Sequence, residues 1–117
     1  MNIDEVAVDF PDLKIVICHF GNPWCVDAAQ VVYKNENIYA DLSGFEIGKF
    51  DVAARVSALS LRITPALEYC SFDKLLYGSD WPLVNMSDYV SLIKNIVPNS
   101  EWDKVFSGNA KKLFGLK

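Results

Sequence analysis

Leu13-Lys14-Ile15-Val16-Ile17-Cys18-His19 is a short, largely β-branched apolar run that ends in the only histidine of the chain. A run of this kind, with almost no polar alternation, is what a parallel strand covered on both faces requires. Phe20-Gly21-Asn22-Pro23-Trp24 follows, and helical spacing then resumes through Val26, Ala29, Val32 and Tyr33. Two further strands are expected: Ile38-Tyr39-Ala40-Asp41-Leu42, after the break from Asn35 to Asn37, and Leu75-Leu76-Tyr77-Gly78, which runs into Ser79-Asp80-Trp81-Pro82.

The other segments read as helices. Ile3, Val6, Ala7 and Phe10 keep helical spacing until Pro11-Asp12 stops them, and Val52 to Tyr69 is apolar and helix-prone, with an interruption expected at Pro65. Tyr89, Leu92, Ile93 and Ile96 mark another helix, capped by Asn85 or Ser87, whose short oxygen-bearing side chains can accept from first-turn amides. Two short helices close the chain, one entered at Ser100 with Asp103 three residues later, the other at Asn109 after Gly108. The order αβαβαβαα, with strands separated by roughly 23 and 37 residues, fits right-handed βαβ crossovers in a parallel sheet. Ligands and catalytic groups gather at the carboxyl ends of such strands, where His19, Asp41 and Asp80 all fall.

Composition sets the outer limits. The 117 residues amount to one domain at most; 51% are hydrophobic and only 22% charged, a balance that implies surface meant to be covered. A net charge of −4 supplies no footprint for phosphate backbones or anionic lipid, so nucleic acid is excluded as a partner. No apolar stretch approaches the roughly 18 residues of a membrane span. Asp4 and Glu5 stand where a signal peptide would be basic, and a cytoplasmic location is expected. Cys18, Cys25 and Cys70 form no Cys-x-x-Cys pair and read as reduced thiols.

Taken singly, the polar residues keep several readings open. His19 can bond a neighbouring loop, Asp80 can shape the turn before Trp81-Pro82, and Asp41 suits a turn or helix cap, standing behind the chemistry and not in it. Trp24 and Trp81 either line a pocket or pack. Strand alternation sends Cys18 to the side opposite His19, toward the helix layer, where it would be inert. Cys25, at a helix start, reads as structural.

Four segments taken together carry more. Cys18-His19-Phe20-Gly21-Asn22-Pro23-Trp24, Tyr39-Ala40-Asp41-Leu42-Ser43, Leu76-Tyr77-Gly78-Ser79-Asp80-Trp81-Pro82 and Asn109-Ala110-Lys111-Lys112-Leu113-Phe114 occur in one order. In that order they resemble the C-terminal part of the amidohydrolase-related (amidohydrolase 2) family of metal-dependent hydrolases and decarboxylases, over nearly the whole chain. The resemblance implies a distorted (β/α)8 TIM barrel of which residues 1–117 form the C-terminal part. The chain is then an α/β partial barrel, three parallel strands with flanking helices, corresponding to strands six to eight.

By the same resemblance His19 matches the histidine after the sixth strand, which binds or polarises the metal-bound water or substrate. Asp80 matches the aspartate after the eighth, which contacts the metal and serves as general base. His19 and Asp80 are thus the expected catalytic and metal-binding residues, the cofactor a divalent metal, zinc first with manganese or iron also suited, and the substrate a small molecule. The physical logic agrees: a carboxylate beside a divalent cation can take a proton from the bound water, and an adjacent imidazole can stabilise charge on the substrate oxygen.

The chain departs from the family in lacking the His-x-His pair of the first strand and the histidine of the fifth. A zinc site normally needs three protein ligands, so the site is expected to be incomplete. Met1 then begins a truncated copy, or the chain is a fragment of a longer product, or an oligomer shares its sites. Three barrel strands alone expose edges and an apolar face, which predicts a homo-oligomer or association with the missing barrel half, burying Ile15, Ile17, Tyr39 and Tyr77 or their helix-facing neighbours. Two functions stay open: a metal-dependent hydrolase, or a non-catalytic truncated homologue persisting as an oligomeric structural or binding module.

Overall fold

Ile15, Val16 and Ile17 form strand β1 (Ile15–Ile17), which pairs in parallel with β2 (Ile38–Asp41), and β2 pairs in parallel with β3 (Leu75–Leu76). The computed structural model describes residues 2–117, so Met1 lies outside the described residues. Helix α1 (Asn2–Asp9) leads into β1, α2 (Cys25–Lys34) carries the crossover to β2, and α3 (Val52–Leu67) the crossover to β3. Helix α4 (Met86–Lys94) follows, and a helical run ending in α5 (Asn109–Phe114) closes the chain.

Strand register decides which residues are inside. Ile15 pairs with Ile38, Ile17 with Ala40 and Ala40 with Leu75, so these share one face, and Ile17, Ile38, Ala40 and Leu75 are buried there beneath the helices. Leu59 and Ile63 from α3 and Tyr89, Leu92 and Ile93 from α4 fill the same core. Val16, Tyr39 and Asp41 lie on the opposite face and are only half-buried. The expectation that association would bury Ile15, Ile17 and Tyr77 therefore needs correction. Ile15 and Ile17 already meet the chain's own core, and Tyr77 stacks on Phe106 at 4.8 Å between ring centres. Alternation within β1 leaves Val16 as the strand residue turned away from the helices.

Other differences from the expected elements have local causes. Helix α3 runs unbroken through Pro65. Pro65 and Leu61 are both exposed, so the Leu61 carbonyl that loses its donor faces water. Asn85 caps α4, its Oδ1 accepting from the Asp88 amide at 3.1 Å, while Ser87 donates to the same oxygen at 2.6 Å. No side-chain cap forms at Ser100; a 3₁₀ turn at Asn99–Glu101 follows Pro98, and its first helical residues make no capping bond. Gly108 does not separate two helices either, because Lys104–Gly108 is a π-helical turn continuous with α5. That widened turn leaves the Val105 carbonyl free to accept from the Tyr77 amide at 2.8 Å.

Candidate functional site

Both ends of the expected site are built by residues in left-handed backbone. Among the described residues only His19 (φ 57°), Phe20 (φ 47°) and Asp80 (φ 58°) adopt positive φ without being glycine. Such conformations cost on the order of 1–3 kcal/mol each and persist where surrounding contacts over-determine them. At His19 the contacts are visible: its backbone N–H donates to Asp41 Oδ1 at 2.9 Å, and the same oxygen accepts from the Ser43 amide at 3.0 Å and the Ser43 hydroxyl at 2.7 Å. Phe20, wholly buried, anchors the turn from below. The Asn22-Pro23 and Trp81-Pro82 peptide bonds are cis.

These turns bring the carboxyl ends of β1 and β3 together. His19 Nε2 lies 3.2 Å from Asp80 Oδ2, with the side chains 46% and 31% exposed, so the pair is open to solvent. A polar contact this open to solvent contributes little to stability, which leaves stability an insufficient reason for the strained backbone around it. Gly44 closes one side, since a Cβ there would stand 2.6 Å from His19 Cγ and Nδ1. The segment behind is held by Tyr89, whose buried hydroxyl donates to the Leu42 carbonyl at 2.9 Å and accepts from the Phe45 amide at 3.1 Å. Burial raises the Tyr89 pKa, so its hydroxyl stays protonated.

Asp41 holds the histidine by its backbone, its Oδ1 accepting from the His19 amide at 2.9 Å. Trp24 and Trp81 are both strongly exposed and pack into no core. Cys18 corrects the alternation argument. The strand ends at Ile17, and the thiol lies on the Asp41 side of the sheet, exposed, where the Asp41 carboxylate by its charge, then partial burial and a hydrogen bond to Asp41, raise its pKa. Parity within the strand already put Cys18 on the Asp41 face; it is His19 that leaves the pattern, through its left-handed turn. Cys25 and Cys70 are buried, and burial pushes the Cys70 thiol up to about 12. A disulfide-exchange reagent at mildly alkaline pH should therefore label Cys18 alone and slowly in the folded chain, and all three thiols after denaturation. Rapid labelling of a second thiol under native conditions would contradict the burial.

Two donors do not make a metal site. Ligands about 2.1 Å from a tetrahedral ion stand roughly 3.4 Å apart, so the His19–Asp80 spacing suits two positions of one coordination sphere. Among the described residues, however, no group of three His, Cys, Asp or Glu side chains is arranged to hold an ion. A cleft of about 450 Å³ lined by Glu36, Tyr39, Lys74 and Lys112 opens at the other end of the strands, away from this pair.

The amidohydrolase family model matches residues 1–116, and the chain belongs to that family. No protein of curated function matches the chain in sequence. Among solved structures it is similar to an amidohydrolase from Burkholderia multivorans with bound zinc, with a TM-score of 0.78, 18% identity, and coverage of 98% of this chain and 48% of that one. An uncharacterised TIM-barrel protein from Bordetella bronchiseptica gives 0.70 at 23% identity, with 97% and 38% covered. A dihydroxybenzoic acid decarboxylase from a Polaromonas species, with bound manganese and the inhibitor 2-nitroresorcinol, gives 0.63 at 19% identity, with 97% and 37% covered. The fold is therefore a partial TIM barrel, and the chain spans less than half the length of the solved structures it matches. Among the described residues no helix is long and apolar enough to cross a membrane.

Proposed function

We propose that residues 1–117, the C-terminal part of a metal-dependent hydrolase-like TIM barrel, supply two residues of an amidohydrolase-type site acting on a small-molecule substrate. The observation that supports this is the meeting of His19 Nε2 and Asp80 Oδ2 at 3.2 Å from the ends of two different strands, both in left-handed backbone. In this reading Asp80 is the general base and His19 a hydrogen-bond donor to the substrate oxygen, with both also facing the ion. A divalent metal, zinc by preference, would supply the acidity of its water. Among the described residues the ligand set is incomplete, and in this reading the remaining ligands come from elsewhere. A cytoplasmic location belongs to the same reading.

The donor count favours a second reading, a non-catalytic homologue that persists as an oligomeric structural or binding module. One experiment separates them. Because the chain has a single histidine, its ring resonances report one site. Titrated zinc should shift them, and Asp80→Asn should abolish the shift at the same concentrations. Ring resonances unmoved by millimolar zinc would overturn the metal-site reading and leave the second.

A further inference from the structure

Residues 41–45 touch both halves of the proposed site. On one side Asp41 Oδ1 accepts from the His19 amide at 2.9 Å, and Gly44 lies so close to the imidazole that an added Cβ would stand 2.6 Å from Cγ and Nδ1. On the other side the Leu42 amide donates to the Leu76 carbonyl of β3 at 2.9 Å. Ser43 packs on Gly78, two residues before Asp80, where an added Cβ would meet Ser43 Cβ at 2.9 Å. A little further on, the Gly48 amide donates to the Leu83 carbonyl at 2.8 Å, and the Leu83 amide donates to the Asp80 carbonyl at 2.9 Å. The placement of this one segment therefore governs how the imidazole and the carboxylate stand to each other.

Regular structure does not hold it in place. Strand β2 ends at Asp41 and α3 begins at Val52, and apart from one bridge at Gly48 the residues between them lie in neither strand nor helix. Gly44 has φ +68°, a conformation that glycine enters and leaves with little penalty. The restraint comes from α4. Tyr89, wholly buried, donates its hydroxyl to the Leu42 carbonyl at 2.9 Å and accepts from the Phe45 amide at 3.1 Å, one bond on each side of Ser43-Gly44. The ring itself is fixed by Phe50, edge-on at 6.4 Å between centres, and by Tyr77, tilted at 6.3 Å.

We infer that Tyr89 is a positioning residue for the His19–Asp80 pair, its hydroxyl clamping Ser43-Gly44 against the imidazole and the end of β3. No hydrogen bond joins it to either member among the described residues, so it acts through the segment alone. The role rests on the amidohydrolase-type reading, in which both side chains must be held to within about 0.5 Å of a working geometry. Phenylalanine at 89 would keep the ring packing and leave the Leu42 carbonyl and Phe45 amide buried without partners, a cost that the segment relieves by moving.

Nuclear magnetic resonance on Tyr89→Phe tests the inference with two readouts. In the wild-type chain the His19 ring protons should show Overhauser cross-peaks to the Gly44 α-protons, a contact that needs no metal. Tyr89→Phe should weaken these cross-peaks severalfold and lower the apparent zinc affinity read from the ring resonances by about tenfold. Ile93→Val, buried on the same helix, also costs stability but spares the clamp, and should leave both readouts at wild-type values. Should Tyr89→Phe fail to fold, 4-aminophenylalanine at position 89 keeps a donor for Leu42 and a weaker acceptor for Phe45, and the cross-peaks should fall part of the way. Undiminished cross-peaks in the position-89 variant that folds, or an equal loss in Ile93→Val, would overturn the positioning role even if zinc binds. A wild-type ring indifferent to zinc, with the cross-peaks lost in Tyr89→Phe alone, would uphold the clamp and remove only the metal-site reading.

Discussion

Asn109→Ala should lower the unfolding free energy by about 2–4 kcal/mol, because each buried carbonyl stripped of its donor costs on the order of 1–3 kcal/mol. The asparagine is buried, and its single Nδ2 group donates to the Phe72 carbonyl at 2.7 Å and the Leu75 carbonyl at 2.8 Å. Phe72 belongs to the turn that feeds β3, and Leu75 is the first residue of that strand. The amide therefore does for β3 what a further strand would do on its outer side. Asp at this position should be worse still, since a carboxylate would face two carbonyl oxygens. Urea unfolding followed by circular dichroism checks the magnitude, with exposed Lys111→Ala as a control expected within about 0.5 kcal/mol. An Asn109→Ala chain as stable as the control would mean that the Phe72 and Leu75 carbonyls find other donors.

The strands were legible because their physics is local. Ile15-Val16-Ile17 and Ile38-Tyr39-Ala40 are β-branched or apolar without a break, and the structure places both in the sheet. Asp41, Asp80 and His19 were legible as strand-end residues for the same reason. The facing of Cys18 was misjudged because the left-handed turn at His19 depends on Asp41, 22 residues away, accepting its amide. Nothing in the local sequence announces that bond. The continuity of α3 through Pro65 depends on which side of the helix meets water, and the π turn at Lys104–Gly108 on a partner amide at Tyr77. Asn109 stood out only as part of a motif. Its role requires knowing that β3 ends the sheet.

Gly44→Ala should uncouple His19 from Asp80 while leaving the chain folded. Gly44 has φ +68°, and an added Cβ would lie 2.6 Å from His19 Cγ and Nδ1, closer than such atoms ever approach. The imidazole must move, since the glycine is fixed by the strand on one side and by the Phe45–Tyr89 hydrogen bond on the other. Placing alanine in left-handed backbone costs a further 1–2 kcal/mol or so by itself. Gly48 separates the two effects: it has φ +75° with nothing within 4 Å of the added Cβ, so Gly48→Ala carries the backbone strain without the ring contact. Both variants should lose comparable stability. Only Gly44→Ala should weaken the zinc-induced shift of the His19 ring resonances, by about tenfold or more in apparent affinity, the scale on which supporting contacts act on metal ligands. Equal zinc responses in the two variants would show that the imidazole does not need its observed position against Gly44, and the proposed pairing of His19 with Asp80 around an ion would fall with it.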